Sequence, residues 1–193
     1  MVKMRLLICH FLLLGYDRVC VVAIRKFAFF GVCNFGCTHF FALEVKLLSC
    51  CVFFGHKDVD PTIRENLKRQ IETLIIENNV TEFYVGNNGG FDYMVYDLLK
   101  ELKEQYTNIM FSVALAYIPA ERGEFYYSYY KEEESFVPDG VECGPIRFAI
   151  DRRNKWLVEQ ADFVITHVKH SWGGAAKFKE IAEKKKKQVI NII

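Results

Sequence analysis

Two short glycine segments in this chain have the composition of loops that hold anionic ligands. Gly86-Asn87-Asn88-Gly89-Gly90 leads from an apolar run into a helical pattern, and Ser171-Trp172-Gly173-Gly174-Ala175 does the same further along. Glycine lets a backbone turn sharply and approach a ligand closely, and the first amides of a helix attract anions. Neither segment has the spacing of a Walker loop or of the dinucleotide fingerprint, so each alone fits a tight turn as well. Their recurrence predicts a phosphate-bearing ligand.

Charged and polar side chains accompany the glycine segments. Lys57, after the first apolar run, suits a phosphate, and its neighbour His56 titrates near neutrality and could act as an acid or base, or be structural. Asp92 lies in the first turn of a helix, where it offsets the dipole or binds a ribose hydroxyl. Arg152-Arg153-Asn154 lies within a helix, and about 100° per residue keeps the two arginines on different faces. One arginine is therefore expected in the pocket, while Trp172 either stacks on a base or packs.

Strand and helix patterns alternate from residue 50 onward and must position these groups. Short apolar runs predict buried strands at 50–54, 80–85, 109–117, 162–168 and 188–193. Amphipathic helical patterns separate them. The alternation predicts an α/β, doubly wound (Rossmann-like), mostly parallel sheet of about five strands with helices on both faces. Ligands of such folds bind beyond the carboxyl ends of the strands, where both glycine segments stand.

Composition divides the chain near residue 50. Overall it is 51% apolar with a net charge of +1, which excludes disorder and gives no general reason to expect nucleic-acid binding. Residues 1–49, however, carry six Lys/Arg against two Asp/Glu, whereas residues 50–193 carry 19 against 22. The first segment has apolar runs but no cleavage site and no helical period. We expect 1–49 to be a hydrophobic, Cys-rich extension outside the fold, from a mis-called start or a weak membrane segment, and 50–193 to be the working domain.

Two further segments bear on function. Residues 120–143 form a long connection rich in Tyr and Glu, which predicts a lid over the cleft or a partner surface, with an ordered insertion hairpin as the alternative. Cys33, Cys37 and His39 offer metal-ligating side chains but not the four ligands at recognisable spacings that zinc requires. No metal site is predicted.

Four motifs together, in this order, resemble those of a known superfamily. They are Phe53-Phe54-Gly55-His56-Lys57, the strand–glycine–helix unit at 84–92, Arg152-Arg153-Asn154-Lys155-Trp156, and His170-Ser171-Trp172-Gly173-Gly174-Ala175. Over residues 50–192 the chain resembles the SLOG superfamily, the Rossmann-like group named for the Smf/DprA and LOG proteins, and within it the YpsA-like bacterial branch. The resemblance implies a pocket for a nucleotide or nucleotide derivative. The expected ligand-binding residues are Gly55, His56, Lys57, Gly86, Asn87, Asn88, Gly89, Gly90, Asp92, Arg152, Arg153, Asn154, Ser171, Trp172, Gly173, Gly174 and Ala175.

The resemblance also implies two activities of relatives. LOG enzymes release a cytokinin base from its ribose 5′-phosphate and share a Pro-Gly-Gly-x-Gly-Thr-x-x-Glu motif. The corresponding segment 171–180 here lacks the third glycine and the threonine, and Glu180 is shifted. Asp92 and Glu180 are the catalytic candidates if that hydrolysis occurs. DprA-like members bind single-stranded DNA, but the net charge of −3 on residues 50–193 argues against that role here.

Three hypotheses follow for the function. The preferred one is a cytoplasmic nucleotide-binding sensor or regulatory module without turnover, because no nucleophile–base pair can be named. The second is a hydrolase of the N-glycosidic bond of a nucleotide. The third is a membrane-attached interaction protein that uses residues 1–49. No cofactor is expected beyond the nucleotide ligand, and a homo-oligomer is left open.

Overall fold

The computed structural model describes residues 23–24, 27–28, 49–117 and 130–193. The chain divides after Leu48. Before that point the described residues form two strands, β1 (Ala23–Ile24) and β2 (Phe27–Ala28), which pair antiparallel. The other residues up to Leu48 lie outside the described part of the chain, so the role of the predicted 1–49 extension stays a prediction. Within the described ranges, no helix is both long and apolar enough to cross a membrane.

The unit Ser49–Ile193 alternates strands with helices. Its strands are β3 (Ser49–Gly55), β4 (Val80–Val85), β5 (Met110–Ala114), β6 (Ser135–Phe136), β7 (Phe163–His167) and β8 (Gln188–Asn191). Its α-helices are α1 (Arg64–Glu77), α2 (Gly90–Gln105), α3 (Ala149–Gln160) and α4 (Gly174–Lys184). A short 3-10 turn precedes α1, and the carboxylate of Asp60 accepts a hydrogen bond from the Thr62 amide there, as its place before Pro61 predicts.

The described strands of this unit form one six-stranded sheet in which every neighbouring pair is parallel. The order is β6-β5-β4-β3-β7-β8. The chain moves from β3 through β4 and β5 to β6, and then returns to the other side of β3 to build β7 and β8. Because crossovers between parallel strands are right-handed, this reversal puts α1 and α2 on one face and α3 and α4 on the other. The predicted doubly wound α/β fold is confirmed, and its topological switch point lies between β3 and β7.

Strand β3 is buried on both faces. Cys51 and Phe53 belong to the core that α1 and α2 cover, whereas Cys50, Val52 and Phe54 belong to the core on the α3 and α4 side. A strand in this position has no solvent face, which explains why its sequence is a continuous apolar run. The backbone of β3 is also tied to β7, since the Cys50 amide donates to the carboxylate of Asp162 over 3.1 Å.

The sheet has one strand more than the five predicted. The two residues of β6 pair with β5 and are too few to show any periodicity. The residues around β6 are packed: the ring of Tyr130 stacks on Tyr93, and the Tyr96 hydroxyl donates to Glu134 over 2.7 Å. Within the segment predicted as a lid, residues 130–143 are therefore anchored in part to α2 and the sheet edge, and residues 120–129 lie outside the described part of the chain.

Candidate functional site

A cleft with a volume of about 220 Å³ opens beyond the carboxyl ends of β3 and β4. Its remaining walls come from α3 and from the first turns of α2 and α4. Its position beside the switch point is the one where doubly wound sheets bind ligands. Ten of the predicted ligand-binding residues line it: Gly55, His56, Lys57, Gly86, Asn88, Asp92, Arg153, Asn154, Gly174 and Ala175. Four apolar residues that we had not predicted complete the lining: Phe53, Phe54, Ile150 and Leu157.

Two amides around the start of α2 are used within the protein. The Gly90 amide donates to the carbonyl oxygen of Lys57 over 2.7 Å, and the Asn88 amide donates to Asp92 Oδ2 over 2.8 Å. A Cβ atom on Gly89 would lie 2.9 Å from Lys57 Cα, and Gly89 also has a φ of 143°. The glycines of this segment therefore allow two loops to touch, and the first amide of the helix is already bonded within the protein.

The start of α4 is arranged differently. Its N-cap, Gly173, has a φ of 99°, which favours glycine, and no described side chain caps the helix. Gly174 follows without a positive φ, and beyond its chain neighbours and its own helix backbone no described atom lies within 4 Å of where its Cβ would be. The first amides of a helix have no partner inside the helix, and none of the described groups outside α4 accepts from those of Gly174, Ala175 or Ala176. Gly174 and Ala175 line the cleft, so α4 presents a positive dipole end to it.

A buried arginine and a buried aspartate face each other across the cleft floor. Arg153 is 2% exposed, and its Nη1 donates to the carbonyl of Ala114 over 2.9 Å and to Asn87 Oδ1 over 3.3 Å. Asp92 is 9% exposed. Burial raises the pKa of the Asp92 carboxyl, and the nearby Arg153 charge and the Asn88 amide oppose that rise. The Arg153 positive charge is thus partly balanced inside the protein.

Three histidines gather where β3 and β7 end. The ring of His56 lies 6.3 Å from that of His167 and 5.9 Å from that of His170, between centroids. His167 is 1% exposed and stacks on Phe91, and its Nδ1 lies 2.7 Å from the carbonyl of Ile192. The sequence analysis did not single out His167, whose only signal is its place at the end of a strand. No group of three His, Cys, Asp or Glu side chains in the described ranges is arranged to hold a metal ion.

The other predicted residues lie outside the cleft lining. Arg152 points to the loop before α3, where its Nε donates to the carbonyl of Val141 over 2.7 Å. Glu180 is exposed on α4, and the hydrogen bond from Lys184 lowers the pKa of its carboxyl. Ser171, Trp172 and Gly173 are exposed just before α4, and Trp172 stacks on His170. Asn87 and Gly89 support the loop rather than line the cleft.

Comparison with known proteins supports the fold. No family model matches the chain, and no curated protein matches it. Among solved structures it is similar to the X-ray structure of DNA processing protein A (DprA) from Streptococcus pneumoniae, with a TM-score of 0.52 and 13% sequence identity. The match covers 75% of this chain and 50% of the DprA chain, so the match spans half of that protein's length. This similarity confirms the fold that the resemblance implies, and membership of the SLOG superfamily and of its YpsA-like branch stays a prediction.

Proposed function

We propose that this protein binds a nucleotide or nucleotide derivative in the cleft, as a sensor or regulatory module, with the phosphate at the start of α4. The observation that carries the proposal is the pair Gly173 and Gly174: the first amides of α4 are free of described partners, and no described atom approaches the Cβ position of Gly174. Neither packing nor a positive φ accounts for a glycine at 174, whereas the close approach of a ligand does.

The charges around the cleft favour an anion. Asp92 partly balances the charge of Arg153, and the exposed Lys57 and the α4 dipole add further attraction for an anion. A single helix terminus contributes about 0.3–1 kcal/mol at an exposed site and up to about 2 kcal/mol when partly buried. These magnitudes suit reversible binding of a metabolite.

The size of the cleft indicates where a base would lie. Its volume of about 220 Å³ is below the roughly 300–1,000 Å³ typical of sites that enclose a whole small ligand. A phosphate and part of a sugar fill it, and the base then extends to the rim. Trp172, two residues before Gly174, is 72% exposed and offers a ring face for stacking there.

The first test is a Gly174→Asp substitution combined with calorimetry against a panel of nucleoside 5′-mono- and diphosphates. The Cβ position of Gly174 has open space around it, and a carboxylate in the first turn stabilises the start of α4, so the protein should fold as well as the parent. Like charges about 4 Å apart repel by about 4 kcal/mol at an effective dielectric constant of 20. We therefore expect the affinity for the nucleotide to fall by about tenfold or more.

A matched control is Gln188→Asp, which adds the same charge at the exposed beginning of β8. The beginnings of parallel strands lie at the sheet edge opposite the cleft, so this variant should bind like the parent. Absence of binding by every member of the panel to the parent chain would refute the proposal. An equal loss of nucleotide affinity in both variants would show that the phosphate does not bind at the start of α4.

The second candidate function is hydrolysis of the N-glycosidic bond of a nucleotide. The buried Asp92 carboxyl favours it, because a carboxylate beside the cleft can stabilise a ribosyl cation. We expect release of free base, detected by chromatography, to fall by about 100-fold or more in Asp92→Asn, the range typical of a lost group that stabilises transition-state charge. Glu180→Gln is the control, since Glu180 is outside the cleft lining and should leave the rate unchanged. Intact nucleotide after long incubation with the parent chain would exclude this candidate.

A further inference from the structure

His56 joins the two loops that border the cleft. It follows β3 and lines the cleft, and its Nε2 accepts a hydrogen bond of 3.2 Å from the amide of Lys169, in the loop between β7 and α4. This bond requires an imidazole whose Nε2 carries no proton. The neutral ring thereby helps to hold the loop that leads into the start of α4.

Positive and titratable groups surround the His56 ring on the side of that loop. His167 stands at the end of β7, and Lys169 and His170 follow it in the loop; the three disfavour a second proton on His56. Burial is the largest cause that lowers the pKa of His56, and the charges of these three neighbours lower it further. On its own loop the neighbours are Lys57 and Asp58, and the cleft adds Asp92 and Arg153.

An anion in the cleft would reverse this balance. A phosphate or sulfate at the start of α4 adds negative charge to the cavity that His56 lines, and an imidazolium can donate a hydrogen bond to it. The attraction then compensates for the lost bond from Lys169 and for the repulsion by the neighbouring histidines. The His56 ring, whose neighbours favour its neutral form, becomes a favourable cation beside a bound anion.

We propose that binding of an anion in the cleft is coupled to the uptake of one proton by His56. This inference rests on the proposed function and adds its regulation: the same site binds its ligand more tightly as the pH falls. Below the lowered pKa of His56 in the free protein, the ring is already protonated, and above that pKa each bound anion must draw its proton from solvent. The affinity therefore decreases with rising pH, by at most about tenfold per pH unit.

The test uses sulfate with the full chain, because sulfate stays a dianion at each pH used. Affinities are measured at pH 6, 7 and 8, and NMR of the histidine rings at pH 7 reports which ring gains a proton. We expect binding to weaken by about tenfold or more from pH 6 to pH 8, and the His56 signals to move to protonated positions as sulfate is added. In His56→Gln, whose side-chain oxygen can still accept from Lys169, the pH dependence should disappear.

His170→Gln is the matched control, because it removes a more exposed histidine of the same cluster and should keep the pH dependence. Sulfate that binds with one affinity from pH 6 to pH 8, or a pH dependence that persists in His56→Gln, would overturn the coupling and leave the proposed binding function standing. If neither sulfate nor any nucleotide of the panel binds, the proposed function fails and the coupling fails with it.

Discussion

Replacement of Arg153 by methionine is expected to lower the free energy of unfolding by about 3–5 kcal/mol, the cost typical of removing one partner of a buried charge pair. Methionine keeps much of the apolar stem but removes the guanidinium. The Ala114 carbonyl and the Asn87 side chain then lose a donor, and the Asp92 carboxyl stays buried without an opposing charge. Urea unfolding followed by circular dichroism measures the change.

Arg152→Met is the control for this substitution. Arg152 precedes Arg153 in the same helix, but it bonds loop carbonyls at the surface, and we expect a loss of only about 1–2 kcal/mol. The double variant Arg153→Met with Asp92→Asn should lose about 0.5–3 kcal/mol less unfolding free energy than the two single variants lose together, because the amide removes the unpaired charge. Equal losses for the two arginine variants would contradict the placement of Arg153 at the cleft floor.

The second large effect is expected at Gly55, where alanine should destabilise the protein by about 1–3 kcal/mol or more. The new Cβ would lie 2.2 Å from Phe91 Cγ and 2.6 Å from Phe91 Cβ. Phe91 is fully buried in the first turn of α2 and stacks on His167, so the ring has no free space to enter. The start of α2 would have to move away from the end of β3, which also deforms the cleft.

Gly174→Ala provides the contrast, since it adds the same methyl group where no described atom stands within 4 Å. Alanine is favoured over glycine in helices by up to about 1 kcal/mol, so this variant should be as stable as the parent or more stable. Thermal unfolding of both variants checks the pair. A Gly55→Ala variant as stable as the parent would show that Phe91 does not cover this glycine.

The fold was predictable because its signals are local. β3 is a continuous apolar run and α2 shows a helical period with Leu98, Leu99 and Leu102 on one face, and both patterns can be recognised within a window of a few residues. The alternation of such runs leads to a parallel sheet by general rules of connection. β6 was not predicted because it has no local signal. Its two residues are too few to show a period, and their pairing with β5 depends on the rest of the sheet.

The cleft was predictable in its place but not in its details. The carboxyl ends of the strands, with Gly55, Gly86 and Gly174, were expected to meet because parallel strands end at one edge. Which of two adjacent arginines is buried was open, since helical spacing only separates Arg152 from Arg153. The answer depends on the Ala114 carbonyl at the end of β5, 39 residues away, which accepts from Arg153.

The sequence by itself determined the alternation of strands and helices, the positions of the strand ends and the presence of glycines there, because each is a property of neighbouring residues. Only the tertiary structure decided what each glycine does. At Gly55, Gly89 and Gly90 the missing side chain makes room for Phe91 and the Lys57 backbone, whereas at Gly174 the space is open. The same residue type serves packing in one loop and leaves open space in the other, because contacts between distant segments arise from strand order and register.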